Sequence, residues 1–362
     1  MTTTLRWGII STGRISGVFV KDLLIDPKTR DTHDVVHKVV AVGSRKVETA
    51  QEFVAANAGG DASIKVYGTY DEVYADKDVD AIYIGTPHTY HYINALDAIR
   101  AKKHVLCEKP VTSNAAELRA LLAAAKENGV FFMEAMWTRF QALPQAVMKL
   151  LESGELGAPV VVHADLSGDF DIHNIPKTHR ILDPALGGGA LLDLGPYPMV
   201  WAIMTLFENP RNDFTAPSNI TASMLKTPLT GVDANTSFTL TFDKIQAQAV
   251  LSCSINATPV SPGVTIRCEK GVIRVATPIY CSKSFKVEYL EKGKVVREEE
   301  KKFDYVGFGL HFEADEVARC VRDGKSESAL WSHDKSLLEM TVFDEVRKQG
   351  GYVFPKGVEQ VV

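Results

Sequence analysis

The chain lacks an excess of positive charge. A net charge of -5 over 362 residues leaves no basic stripe for a phosphate backbone, so nucleic-acid binding is not expected. The run Arg297–Lys302 carries three glutamates among its cations and reads as a solvated hairpin rather than a basic patch. No stretch of 18 apolar residues occurs, which argues against a membrane span. No charged-then-apolar leader precedes the first strand-like segment either, so a cytoplasmic protein is expected. The cysteines number five, Cys107, Cys253, Cys268, Cys281 and Cys320, scattered and without CxxC spacing. That excludes a disulfide framework and a thiolate zinc site. Repeats, low-complexity tracts and flexible linkers are missing. His88, His91, His173 and His179 have no carboxylates at ligand spacing, so no metal is expected.

What is present is a globular composition, 45% hydrophobic and 23% charged, at a length that suggests two domains. Up to about residue 134, short apolar runs (5–10, 35–42, 79–84, 105–106, 130–133) alternate with helical patterns (13–24, 47–58, 91–101, 115–128). That alternation implies an α/β fold, a Rossmann-type doubly wound parallel sheet whose strands are apolar throughout because both faces are covered. Beyond 135 the texture changes. A helix (143–153) and a strand (159–166) lead into a polar stretch and a Gly-rich helix entry at 187–206. Extended segments follow at 219–226, 235–242, 246–255, 264–268, 272–276 and 285–290, and two helices (312–322 and 335–348) close the chain. The expectation is a dinucleotide-binding domain over 1–134 and an α+β domain with a large, mostly antiparallel sheet over 135–362. Ligands are expected at the carboxyl ends of the N-terminal strands.

Trp7-Gly8-Ile9-Ile10-Ser11-Thr12-Gly13-Arg14-Ile15-Ser16 runs from a strand through a tight turn into a helix. Ser11, Gly13 and Ser16 stand at the three small-residue positions of a dinucleotide fingerprint, a degenerate match strengthened by its place in a βαβ unit. Ser11, Thr12, Gly13, Arg14 and Ile15 are therefore candidate pyrophosphate contacts. The second strand ends Ser44-Arg45-Lys46 where an NAD enzyme would carry an acid for the ribose 2′-hydroxyl. A serine and two cations suit a 2′-phosphate, so NADP is the expected cofactor. Thr86-Pro87-His88 and His91 follow the 79–84 strand, on the nicotinamide side, although His91 also reads as a helix start.

Cys107-Glu108-Lys109-Pro110 ends the next strand and points a lysine into the expected cleft. Gly187-Gly-Gly-Ala-Leu-Leu-Asp193-Leu-Gly195-Pro-Tyr197 enters a helix on which Asp193 and Tyr197 share one face. Hydride transfer from an alcohol needs a base for the hydroxyl proton, and a tyrosine serves if a cation favours its phenolate. Lys109 facing Tyr197 would supply that cation, with Asp193 orienting the lysine or a substrate hydroxyl.

Ser11-Thr-Gly13-Arg-Ile, Glu108-Lys109-Pro110 and Gly188-Gly-Ala-Leu-Leu-Asp193-x-Gly195-x-Tyr197 together resemble the glucose–fructose oxidoreductase/inositol dehydrogenase (Gfo/Idh/MocA) family over nearly the whole chain. Arg6–Ser11, Met133–Phe140 and Gly195-Pro-Tyr197 are similar to its dimeric dihydrodiol dehydrogenase and NADP-dependent D-xylose dehydrogenase branch. The resemblance implies that Lys109 and Tyr197 are the catalytic pair, assisted by Asp193, and that a cis bond precedes Pro110. Trp137 would line the sugar pocket, with His179 as a further substrate contact. Glu108, Lys109, Trp137 and Arg139 would border the cofactor. A homodimer through an open-faced C-terminal sheet is implied as well. The family's inositol dehydrogenases carry histidine where Tyr197 stands, and Ser11 replaces the glycine common at its position.

The expected reaction is oxidation of an aldopyranose such as D-xylose at C1 to the 1,5-lactone. Oxidation of trans-dihydrodiols or reduction of dicarbonyls is the alternative within enzymes. A dinucleotide-sensing regulator is the alternative outside them, and it would need no proton relay.

Overall fold

The computed structural model describes residues 2–362, which fall into two compact units: Met1–Phe140 with Tyr305–Leu337 and Glu359–Val362, and Gln141–Asp304 with Leu338–Val358.

The first unit is built on a parallel sheet of β1 (Thr3–Ile10), β2 (Val35–Gly43), β3 (Lys65–Tyr67), β4 (Ala81–Ile84), β5 (His104–Glu108) and β6 (Phe132–Ala135) in the order β3-β2-β1-β4-β5-β6. Its central strands are apolar at nearly every position because helices cover both faces: Ile82, Ile84, Val105 and Leu106 are wholly buried. The crossovers are α1 (Arg14–Leu23), α2 (Val47–Asn57), α3 (Tyr70–Ala75), α4 (His91–Arg100) and α5 (Ala115–Asn128). The strand order reverses between β1 and β4, so their carboxyl ends open the crevice where such sheets bind ligands. The three-residue β3 and the six-residue α3, neither anticipated from sequence, fill the stretch between α2 and β4. A Thr69–Glu72 capping box starts α3.

Residues 305–337 belong with this unit, whereas the sequence reading put everything after 134 in the other domain. The reason is a set of polar ties, most of them buried. Asp22, at the end of α1, accepts the backbone N–H groups of Phe308, Gly309 and Leu310 (2.8–3.1 Å), fixing the entry to α9 (His311–Arg322). On α9, Asp315 accepts from Arg30 (2.8 Å) and from His37 Nε2 (2.9 Å), and His37 Nδ1 accepts from Trp7 Nε1 (3.1 Å). Arg319 pairs bidentately with Asp34 (2.9 Å for both contacts). Asn114, the N-cap of α5, donates to Glu359 (2.9 Å) and to the Val361 carbonyl (2.8 Å).

Asp22 offers a first test. Asp22→Ala leaves buried N–H donors without acceptors and is expected to lower unfolding stability by about 3–5 kcal/mol in urea titrations. Asp22→Asn, which keeps an acceptor oxygen, should lose about half of that. Equal losses in the two variants would show that the negative charge, which Asn lacks, and not the shape or a single acceptor oxygen, holds α9.

The second unit is an eight-stranded sheet in the order β14-β13-β12-β11-β7-β10-β9-β8. Its strands are β7 (Pro159–Ser167), β8 (Asn219–Lys226), β9 (Asp233–Phe242), β10 (Ala247–Ser254), β11 (Val264–Cys268), β12 (Gly271–Val275), β13 (Ser284–Glu291) and β14 (Lys294–Lys302). All neighbours are antiparallel except β7 and β10. The charged run read as a hairpin arm is strand β14, exposed along most of its length at the sheet edge, where charges discourage further pairing. After α6 (Ala142–Glu152), the helical stretch of this unit comprises α7 (Ala190–Leu194), α8 (Pro196–Ala202) and a π-helical turn Ile203–Phe207. Gly195 keeps helical dihedrals (φ -56°, ψ -32°), so the stretch is interrupted by the missing N–H groups of Pro196 and Pro198 rather than bent. The helix over Pro184–Phe207 is apolar enough in length and composition to cross a membrane, yet its most apolar window is completely buried inside the protein. The first part of α10 (His333–Gln349) runs with the first unit and the rest with the second.

Candidate functional site

The turn after β1 is shaped for a ligand rather than for its own packing. Ser11 sits in the left-handed region (φ 86°), and its hydroxyl accepts the Gly13 N–H (3.3 Å). Gly13 caps α1 without any side-chain bond, and the first turn of α1 carries no acid, so the positive end of the helix faces outward unneutralised. A Cβ on Gly13 would meet nothing closer than 3.5 Å, so the space above the turn is open. Ser16 is wholly buried and its hydroxyl has no hydrogen-bond partner among the described residues. Gly85, just past β4, approaches it so closely that an added Cβ would lie 2.3 Å from that oxygen. Thr12 and Arg14 flank the turn, with Ile15 half-buried.

Beside this turn, Thr12 Oγ1 lies 3.4 Å from Ser44 Oγ at the end of β2, and Arg45 and Lys46 are exposed immediately after. Tyr70, at the start of α3, is close enough to Arg45 to feel its charge. Open helix end, small residues and two exposed cations fit a dinucleotide with a 2′-phosphate.

The carboxyl ends of β4 and β5 supply the next group. The Lys109–Pro110 bond is cis, as the resemblance implied, and Lys109 is 9% exposed. Its neighbour Glu108 is buried and accepts the Tyr83 hydroxyl at 2.5 Å, and the Tyr83 ring stacks on Phe19 with centroids 3.8 Å apart. Burial pushes the Glu108 carboxyl up to about 7, although Tyr83 and Lys109 both oppose the shift. Glu313, on α9, is buried without a hydrogen-bond partner among the described residues. Burial first, and then the nearby Glu108 and Asp22, raise it well above the usual carboxyl range. Glu134 accepts the Val111 N–H (3.0 Å), Trp331 Nε1 (3.1 Å) and the Ser336 hydroxyl (2.6 Å), bracing the turn that follows Lys109. Nothing in the sequence marked Tyr83, Glu134 or Glu313. A carboxylate inside a parallel sheet or on an amphipathic helix reads as solvated until its neighbours are known.

Trp137 and Arg139 lie on the 3₁₀ turn Trp137–Phe140, two and four residues beyond β6, and both are buried. His88 is half-exposed on its own 3₁₀ turn, next to exposed Pro87. Thr86 is buried, and its hydroxyl accepts from Asn94 (3.1 Å). His91 departs from its sequence assignment as a cofactor contact. Its ring is wholly buried, with Nδ1 2.8 Å from the Pro110 carbonyl and Nε2 2.8 Å from the Thr86 carbonyl, so its nitrogens serve main chain.

In the second unit, Asp193 accepts Arg180 Nη1 at 2.8 Å, and Tyr197 is near enough to Arg180 to interact electrostatically. Tyr197 is buried with its ring 5.1 Å from that of Tyr280, a neighbour that sequence reasoning missed because its loop carries no motif. His179 is exposed and accepts the Ile181 N–H (3.3 Å). His173 is exposed, and Asn174 bonds Asp171 locally (2.8 Å). A hydroxyl-bearing side chain among an acid and a guanidinium can accept and return a proton.

Glu108 carries a pH consequence. A carboxyl whose folded value lies above its unfolded value of 4.5 binds more protons in the folded state, so its contribution to stability falls as pH rises from 4.5 through about 7. Glu108→Gln removes that slope. The stability of the variant relative to the parent should therefore rise by about 3 kcal/mol between pH 5 and pH 8, read from denaturant midpoints. A difference independent of pH would place the Glu108 titration elsewhere.

Residues 5–136 match the model of an oxidoreductase family with an NAD-binding Rossmann fold, and residues 145–274 match the GFO/IDH/MocA C-terminal domain. The NADP-dependent D-xylose 1-dehydrogenase of Hypocrea jecorina is 36% identical, over 98% of this chain and 94% of that protein. The trans-1,2-dihydrobenzene-1,2-diol dehydrogenase of Danio rerio is 34% identical over 97% and 98% respectively. Among solved structures, the aldose-aldose oxidoreductase of Caulobacter crescentus superposes with a TM-score of 0.80 at 21% identity (96% of this chain, 98% of that one) and shares the fold.

Proposed function

Because the chain belongs to the Gfo/Idh/MocA oxidoreductase family, with NADP as its cofactor and a sugar or diol as its substrate class, we propose that it oxidises an aldopyranose, D-xylose foremost, at C1 to the 1,5-lactone. NADP+ supplies the hydride acceptor. Ser11, Thr12, Gly13, Arg14 and Ile15 hold the pyrophosphate at the α1 end, and Ser44, Arg45 and Lys46 hold the 2′-phosphate. Tyr197 takes the proton of the C1 hydroxyl as the C1 hydride departs, and Lys109 provides the positive charge that favours the phenolate. Arg180 orients Asp193 for a substrate hydroxyl through their 2.8 Å contact. The observation that carries this reading is the set Asp193, Arg180 and Tyr197 on and beside one interrupted helix, in a chain 36% identical to an enzyme of that activity.

A second reading, oxidation of trans-dihydrodiols, is favoured by the Tyr280 ring beside Tyr197, an aromatic wall suited to a planar ring. Initial rates at the NADPH absorbance band separate the two. NADP+ is offered with D-xylose, D-glucose, L-arabinose and a benzene dihydrodiol, with NAD+ in parallel. Turnover of xylose supports the first reading. Turnover of the dihydrodiol alone replaces it with the second, and silence across the panel rejects both.

A further inference from the structure

The turn that follows Lys109 is tied to a segment from far along the chain. Thr112, Ser113 and Asn114 lead into α5, and all three are buried although they form a loop. The segment tied to them is Glu359–Val361, which belongs to the same unit. Two side chains make the connection, and each divides its bonding capacity between turn and segment. The Asn114 amide owns two N–H groups and meets two acceptors, Glu359 Oε1 at 2.9 Å and the Val361 carbonyl at 2.8 Å. Its oxygen accepts the Glu117 N–H (2.8 Å) and caps α5. The Glu117 carboxylate gives one oxygen to the Ser113 N–H (2.9 Å) and the other to the Gln360 N–H (2.7 Å).

Capping alone does not explain this choice of residues. An aspartate or serine at position 114 would cap α5 equally well, but neither brings the two donors that hold residues 359–361. Glu117 is 1% exposed, so an oxygen left without its Gln360 partner would be costly there. The carboxylate would gain by swinging toward water, and that movement releases Ser113. Upstream, the Val111 N–H is held by Glu134 (3.0 Å), and the Thr112 hydroxyl donates to the Asn114 carbonyl (2.8 Å). The backbone after Lys109 is therefore held by two carboxylates, Glu134 at Val111 and Glu117 at Ser113. The hold of Glu117 is completed by residues 359–361.

We infer that Asn114 and Glu117 are positioning residues: with Glu359–Val361 as a strap they hold the backbone of the Lys109 turn, and so fix where the lysine amine stands without touching substrate or cofactor. The kinetic part of this inference rests on the proposed function; the accessibility of Lys109 does not.

Asn114→Asp separates the cap from the strap. It keeps an oxygen for the Glu117 N–H, but sets a carboxylate with nothing to donate against Glu359 and the Val361 carbonyl. Lys109, 9% exposed in the parent, should then be acylated about fivefold faster by an amine-directed reagent, read by peptide mass spectrometry. Lys103, which precedes β5 and donates to the Asp76 and Val79 carbonyls, is the internal control and should not change. In turnover, kcat should fall by about tenfold while NADPH affinity, from fluorescence titration, stays within about twofold. Adding Glu359→Gln to Asn114→Asp puts an amide N–H opposite the new carboxylate and should bring both readings back to within about twofold of the parent. Gln360→Pro removes the N–H that Glu117 accepts and should reproduce the Asn114→Asp result from the other side.

The inference is overturned if Lys109 labelling stays at the parent rate in both single variants. It is overturned equally if Lys103 labelling rises in step, which would mark a general loosening of the sheet. Faster labelling of Lys109 with kcat unchanged would remove the positioning role, and so would the absence of rescue in the double variant. Failure of both single variants to fold would make the strap a folding element instead. If no sugar or diol turns over, the proposed function fails while the labelling still decides the strap.

Discussion

Tyr197→Phe is expected to lower kcat by roughly 10²–10⁴-fold, the range associated with losing a positioned proton acceptor. The substitution removes one oxygen from a buried ring and leaves the packing against Tyr280 in place, so the thermal midpoint should move little. NADPH should bind as before, because the dinucleotide contacts come from the first unit. The signature is therefore loss of turnover with cofactor affinity and fold retained. Turnover within about threefold of the parent would remove Tyr197 from the chemistry and shift attention to another acceptor.

The second large effect concerns cofactor choice. Arg45 and Lys46 stand exposed after β2 with no acid at the strand end. Replacing both by alanine should raise the KM for NADP+ by roughly 100–1,000-fold, since charge-assisted hydrogen bonds contribute about 1.5–3 kcal/mol each and two need not add fully. The KM for NAD+, which has no 2′-phosphate, should change by no more than about threefold. Parallel losses for the two nucleotides would mean that these cations act through the local fold rather than through the phosphate.

How far the sequence revealed this molecule depends on how local each feature is. The alternation of apolar runs and helices exposed five of the six strands of the parallel sheet, because burial on both faces writes itself into composition. Strand β3 escaped because Lys65–Tyr67 is three residues long and only partly buried, too short to show any period. Strand β14 reads as a charge run for the reason that it is an edge. Lys109, Asp193 and Tyr197 were visible as motifs whose spacing carries meaning. His91 reads from sequence as a cofactor contact and a helix start, and its carbonyl neighbours stay hidden because they lie 5 and 19 residues away on irregular loops. The pairing of Arg180 with Asp193, 13 residues on, is not legible in the sequence, because the intervening coil has no periodicity to fix the distance. Helix α9 was found, but its docking partners Asp22, Arg30, His37 and Asp34 all lie near the other end of the chain, and a helical pattern carries no address.

Strands β1–β6 leave the ribosome well before residues 305–337 exist, yet Asp22, Arg30 and His37 need those residues as partners. During translation the nascent nucleotide-binding sheet therefore waits, with the site for α9 bare, while the whole of the second sheet is synthesised. The first unit closes only after the chain is nearly complete, so folding of the two halves is interleaved in time rather than sequential. A stalled or shortened message would release a sheet with apolar surface uncovered, the kind of intermediate that chaperones hold. For this enzyme, completion of the first unit depends on the last sixth of the message as much as on the first.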